Sequence, residues 1–257
     1  MRIDEIITPV EKTKQVPQSW DLNAMRSQRS DAINTWPPKP ETGYYSQGYQ
    51  TQDPFLYGKK AHVPTNLNDD PYYQYVNAIK PLMDSNPYVP RVYVVKLYRD
   101  QQGYIKPDYT MEKLVKGQTL PKKLIYGMGV RMFGSENWFD IHDKMMAGFV
   151  DPVMMSTSMK YEDLDSTDLW KRLAKVIDMS IETYPANSFS NLSFKNFDPN
   201  LLQLIALIKR LIIRVPHTES DVHANNIMVR MGTTPQVVLS DPISSEDTLN
   251  PTQYQTT

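Results

Sequence analysis

Short apolar alternations broken by turn residues fill positions 41–114, and helical spacing of apolar residues takes over from 115. The first stretch, ETGYYSQGYQTQDPFLYGKKAHV, is rich in Tyr and carries Gly43, Gly48 and Gly58 at turn-like intervals, which predicts two or three short strands. DDPYYQYVNAIKPLMDS follows. Asp70 can cap a helix, Pro71 suits its first position, and Tyr72, Tyr75, Val76 and Ile79 keep one face, with Pro81 limiting the end. RVYVVKLYRDQQGYIKPDYTMEKL then predicts a strand over 91–98, a turn at Gln102-Gly103 and a second strand ending near Glu112. Further on, SENWFDIHDKMMAGF predicts a helix capped by Ser135. STDLWKRLAKVIDMSIETY predicts one capped at Ser166 or Thr167, with Leu169, Leu173, Val176, Ile177 and Ile181 on one face. DPNLLQLIALIKRLIIR opens with Asp198 as cap and Pro199 in the first turn. It is apolar almost all round, so it is expected at the centre of its lobe.

These patterns divide the chain into a polar arm over 1–40, a small sheet-rich lobe over 41–114, a larger helical lobe over 115–249 and a tail over 250–257. Pro17, Pro37, Pro38 and Pro40 break the arm, and Trp20 and Trp36 could lay it along the body. Strands with one helix, followed by a run of helices, define an α+β chain with a cleft between its halves.

Charge and composition remove several classes of function. Lys plus Arg total 28 against 29 Asp plus Glu, a net charge of −1, so there is no bulk attraction to nucleic acid or an anionic membrane. With no cysteine, disulfides, thiolate nucleophiles and Cys-ligated zinc are excluded, and four histidines make a His-rich metal site unexpected. The N-terminal residues lack the apolar core of a signal peptide. The most apolar helix is too short for a membrane span and is interrupted by Lys209 and Arg210. A cytoplasmic protein without a membrane partner is the expectation.

One stretch concentrates the candidate chemistry. SDVHANNIMVRMGTTPQVVLSDPI, residues 220–243, sets Asp221, His223, Asn226 and Asp241 around two apolar runs, 227–229 and 237–239. Two short strands would fix the distance between the ends that bear these side chains. Phosphoryl transfer from a nucleotide uses such parts: a carboxylate to take or orient the attacking hydroxyl, and a carboxylate with an amide oxygen to hold Mg²⁺, a hard ion that prefers oxygen. Asp and Asn are also common turn residues, and Ser-Asp-Pro commonly opens a turn, so each half alone has a structural explanation.

The string D-V-H-A-N-N-I-M-V … V-V-L-S-D-P resembles the catalytic loop and metal-binding segment of the protein-kinase-like superfamily, in particular the early Ser/Thr protein kinases of short-tailed coliphages. The resemblance is strong over about 215–244 and extends more weakly, through the order of elements, over 41–114. It implies a two-lobed kinase-like fold truncated after the metal-binding Asp, with Asp221 as catalytic base, Asn226 and Asp241 as metal ligands, and ATP with Mg²⁺ as cofactors. The implied acceptor is Ser or Thr of a host protein in the host cytoplasm. His223 would orient the loop or a phosphate oxygen. A lysine should reach the α/β-phosphates from a strand that precedes a helix. Lys59 and Lys60 in LYGKKAH meet that requirement, and Lys60 is taken ahead of Lys59; Lys96 in VYVVK matches the family string better but no helix follows it. Gly48, with Gly43, would lie over the phosphates, and the backbones of Glu112 and Leu114 would bond adenine. The chain also departs from the family. Its 70–82 helix has no Glu to pair with the lysine, the Gly-x-Gly-x-x-Gly loop is absent, and Pro242-Ile243 follows Asp241. Sixteen residues follow Asp241, too few for a long activation segment, so regulation through one is not expected. Two other functions fit these features. One is a kinase-like binding module without turnover, favoured by the missing Glu. The other is a small-molecule kinase of the aminoglycoside-phosphotransferase type, favoured by His223.

Overall fold

The computed structural model describes residues 46–51, 53–61, 67–99, 105–141, 160–185 and 194–245. The arm over 1–40, the Gln102-Gly103 turn and the tail over 250–257 lie outside these residues. The architecture is α+β, as expected. Strands β1 (Ser46–Gln50), β2 (Leu56–Ala61), β3 (Val92–Arg99) and β4 (Ile105–Glu112) form an antiparallel sheet in the order β1-β2-β4-β3. Helix α1 (Pro71–Ile79) is inserted between β2 and β3. Asp70 caps it by accepting from the Tyr73 N–H at 2.9 Å, Pro71 occupies the first turn, and Tyr72, Tyr75, Val76 and Ile79 are buried.

Helices α2 (Lys122–Phe133), α3 (Ser166–Thr183) and α4 (Pro199–Arg214) follow, with two antiparallel strand pairs at the end. β5 (Thr218–Ser220) pairs with β8 (Ile243–Ser245), and β6 (Ile227–Arg230) pairs with β7 (Gln236–Leu239). α2 was not specified by the sequence reading. Its buried Ile125, Met128, Gly129, Met132 and Phe133 keep helical spacing. Gly134 ends it at φ 63°, where a Cβ would stand 2.3 Å from the Asn196 carbonyl oxygen, so glycine meets both requirements.

Three helix expectations need correction. The cap of α3 is Asp165, which accepts from the Asp168 N–H at 2.8 Å, because its side chain lies one position ahead of the first helical residue. The helix expected from Ser135 begins as turn and a 3₁₀ turn over Trp138–Asp140, and the segment after Ile141 lies outside the described residues. α4 buries one face through Leu201, Leu204, Ile205 and Ile208 while Ile213 is 75% exposed, so it lies at the edge of the core instead of at its centre.

One apolar core runs from Tyr72, Tyr75 and Tyr109 through α2 and α3 to Ile227, Val237 and Leu239. The sheet and the helical part are also tied by polar contacts. Val115, just after β4, pairs in both directions with Val229 of β6, at 2.9 and 2.8 Å. Arg230, at the end of β6, donates from Nε to Glu112 at 2.7 Å and from Nη2 to the same carboxylate, and further to the Pro87 and Val89 carbonyls at 2.9 Å each. Among the described residues no helix is long and apolar enough to cross a membrane.

Candidate active site

The two terminal strand pairs bring their loops together through the backbone. The Asn226 carbonyl accepts from the Ser240 N–H at 3.1 Å, the Asp241 N–H at 3.2 Å and the Ser240 hydroxyl at 2.9 Å. The Asp221 N–H donates to the Pro242 carbonyl at 3.0 Å, extending the β5–β8 pairing by one step. The loop before β6 and the loop after β7 are therefore locked to each other, and Asp221, Asn226 and Asp241 share one end of the paired strands. The sequence spacing of two short strands meets this geometry directly.

Within the loop, Asn226 Nδ2 donates to Asp221 Oδ2 at 2.8 Å and to the Asp221 carbonyl at 2.9 Å. Both bonds use the amide nitrogen, which leaves Oδ1 turned away from Asp221 and able to face a cation. His223 Nδ1 accepts from the Asn225 N–H at 3.2 Å, which puts the neutral ring's proton on Nε2; Nε2 lies 3.5 Å from Asp221 Oδ1. The loop rests on α3 at two points. The Trp170 indole N–H donates to the Ala224 carbonyl at 2.8 Å, and the Ser220 hydroxyl donates to Asp178 at 2.7 Å.

Burial pushes the Asp221 carboxyl up, from 3.8 to about 6; His223 opposes this, Asp241 adds to it, the Asn226 hydrogen bond opposes it, and Glu219 adds to it. A carboxyl raised on folding contributes stability that is fully present below pH 3.8 and is lost as pH rises through about 6. Asp221→Asn removes that ionisation. Its thermal midpoint relative to the native protein is expected to be higher near about pH 7.5 than near about pH 4. Parallel melts of both proteins check this, and a difference that does not change with pH would contradict it.

The sheet supplies a lysine to the same place. Lys59 Nζ lies 2.6 Å from Asp241 Oδ2 and 3.5 Å from the centre of the Tyr72 ring. The register of β2 places Lys59, and not the expected Lys60, beside Asp241. Neighbouring residues on a strand point to opposite faces. Lys59 stands opposite Gly48 on β1 and Tyr109 on β4, facing α1 and Asp241. Lys60 stands opposite buried Asp108, and Asp108 stands opposite Lys96 of β3, so Lys60 and Lys96 flank a carboxylate on the other face. Gly48 is bare where Tyr57 crosses the sheet: a Cβ there would fall 1.4 Å from the Tyr57 hydroxyl.

The two residues expected to bond adenine are placed differently from each other. The Glu112 N–H is already donated to the Arg91 carbonyl at 2.9 Å and its carboxylate is held by Arg230, so Glu112 serves the joint between sheet and helices. Leu114 is half-buried between Lys113, whose N–H bonds the Phe55 carbonyl, and the Val115–Val229 pair.

Several residues around the site were missed. Tyr72 and Tyr75 read as core because they keep helical spacing, but the Tyr72 ring lies under Lys59 and the Tyr75 hydroxyl donates to the Leu239 carbonyl at 2.7 Å, two residues before Asp241. Trp170, Asp178 and Arg230 gave no local signal, because each acts on a residue more than 40 positions away. No cluster of three His, Cys, Asp or Glu suited to a metal occurs among the described residues. Asn226 Oδ1 and Asp241 offer an amide and a carboxylate oxygen, donors of the type a hard cation such as Mg²⁺ prefers. No protein-family model, curated protein or solved structure matches the chain.

Proposed function

We propose that the chain is an ATP- and Mg²⁺-dependent phosphotransferase, most simply a protein kinase acting on Ser or Thr hydroxyls, with host proteins as the acceptors that the resemblance implies. The observation that carries this reading is the approach of Lys59 to Asp241 at 2.6 Å, beside the Asp221–Asn226 pair. One cation and two kinds of oxygen ligand meet there from the sheet and from the strand-pair loops. The order of elements supports the same reading: the strand that bears Lys59 precedes α1 and lies beside β4 in a small antiparallel sheet. This is the arrangement expected of the small lobe of a kinase-like fold.

In this reading Asn226 Oδ1 and Asp241 would hold Mg²⁺, which would supply charge neutralisation for the phosphates, and Lys59 would bind phosphate oxygens. Asp221, anchored by Asn226 Nδ2 and by its own backbone, accepts the hydrogen of the acceptor hydroxyl and aims its oxygen. Phosphoryl transfer depends mainly on positioning and electrostatics, so a rigid loop pinned at Trp170, Asp178 and Pro242 is a chemical asset.

Incubation with γ-labelled ATP, Mg²⁺ and mixed protein acceptors tests the proposal. Label recovered as phosphoserine or phosphothreonine is the expected result. A thermal shift with Mg·ATP of about 2.7 kcal/mol at a hundred times the dissociation constant, without any labelled product, would turn the assignment to a nucleotide-binding module.

A further inference from the structure

The Lys59–Asp241 contact raises a question about the loaded site. α1 reads PYYQYVNAI and contains no carboxylate, so when Asp241 is drawn to a cation the helix offers Lys59 no acidic replacement. What it offers is an aromatic face. The ammonium lies 3.5 Å from the Tyr72 ring centre, and the Lys59 side chain is only 13% exposed, so water screens the contact little. The ring is held from several sides. It is buried, stands edge-on to Tyr109 at 4.9 Å and 85°, lies 6.2 Å from Tyr75, and its hydroxyl rests 3.9 Å from Met111 Sδ. The same helix reaches the other partner, because the Tyr75 hydroxyl bonds the Leu239 carbonyl just ahead of Asp241.

We propose that Tyr72 is the positioning residue of Lys59: its ring face holds the ammonium in line with the nucleotide phosphates when Asp241 is occupied by metal. This rests on the reading of Lys59 as a phosphate-binding lysine. A cation over an aromatic face accounts for the position of the charge without a buried carboxylate. It also explains why a Tyr-x-x-Tyr face, and not an acidic one, meets Lys59 and the Leu239 carbonyl. The ring, not the hydroxyl, carries the effect, since the hydroxyl's contact is to a thioether, a weak acceptor.

Two readouts test this. In protein with ¹³C-labelled lysine, one ε-CH₂ signal should be shifted upfield by the ring, should be lost in Lys59→Arg, which assigns it, should persist in Tyr72→Phe and should vanish in Tyr72→Leu. Mg·ADP affinity should weaken about threefold to thirtyfold in Tyr72→Leu and be kept by Tyr72→Phe. Equal losses in the Phe and Leu variants, or an unchanged affinity in a folded Leu variant, would overturn the proposal. Lys96 and Lys122 also lie over tyrosine rings, at 4.5 and 4.1 Å, so if Tyr72→Leu does not fold, the native and Lys59→Arg spectra still decide together: absence of a shifted signal that Lys59→Arg removes refutes the placement. If the native protein binds no Mg·ADP, the phosphotransferase reading fails and positioning for phosphate fails with it. The lysine signal then separately reports whether the ring holds the ammonium.

Discussion

Asp221→Asn should lower phosphoryl transfer by about 10²- to 10⁴-fold while leaving the fold intact, an effect of roughly 2.7–5.4 kcal/mol on the barrier. The substitution keeps size and shape. With its amide oxygen towards Asn226 Nδ2, the new side chain can retain the bond that Asp221 Oδ2 accepts at 2.8 Å, and the backbone bond to Pro242 is untouched. What disappears is the group that can take a proton from an attacking hydroxyl. Nucleotide affinity is expected to change far less than turnover, because Lys59, Asn226 and Asp241 remain. Single-turnover transfer from labelled ATP, measured beside Mg·ADP affinity, separates the two quantities. A variant that transfers phosphate at the native rate would remove Asp221 from the chemistry.

Arg230→Ala should destabilise the protein by about 3–5 kcal/mol. At roughly 2–4 °C per kcal/mol this is a fall of about 6–20 °C in thermal midpoint. Arg230 and Glu112 have side chains only 19% and 9% exposed, so removing one leaves the other charge buried and unpaired. The guanidinium also satisfies the Pro87 and Val89 carbonyls, and Glu112 accepts from the Arg91 N–H at 2.9 Å as well as from Arg230. Arg230→Lys should recover little, because an ammonium cannot span this two-toothed arrangement. The double variant Arg230→Met with Glu112→Met should recover a large part of the loss, as it leaves no lone charge. Urea or thermal unfolding of the three variants checks the pattern, and a loss under 1 kcal/mol for Arg230→Ala would contradict it.

The candidate site was legible where its signal is local. Asp221, Asn226 and Asp241 stand out because a tight loop and a strand end require short polar residues, and the apolar runs between them fix their separation. The cap at Asp70 and the buried face of α1 follow from spacing in the same way. Facing direction on a strand was not legible. Lys59 and Lys60 are adjacent, and choosing between them takes the β2–β4 register, which depends on residues about fifty positions away. The role of Tyr72 was hidden for a related reason, since a core-facing ring and a ring beneath an ammonium leave the same helical spacing. The Arg230–Glu112 joint spans 118 positions and has no sequence pattern of its own.

A structure of the protein with Mn²⁺ and a non-hydrolysable ATP analogue decides whether these residues handle a nucleotide. The metal is expected on Asp241 and on Oδ1 of Asn226, with Lys59 released from Asp241 and turned to the phosphates above the Tyr72 ring. A nucleotide bound elsewhere, or a Lys59–Asp241 contact unchanged in its presence, would contradict it.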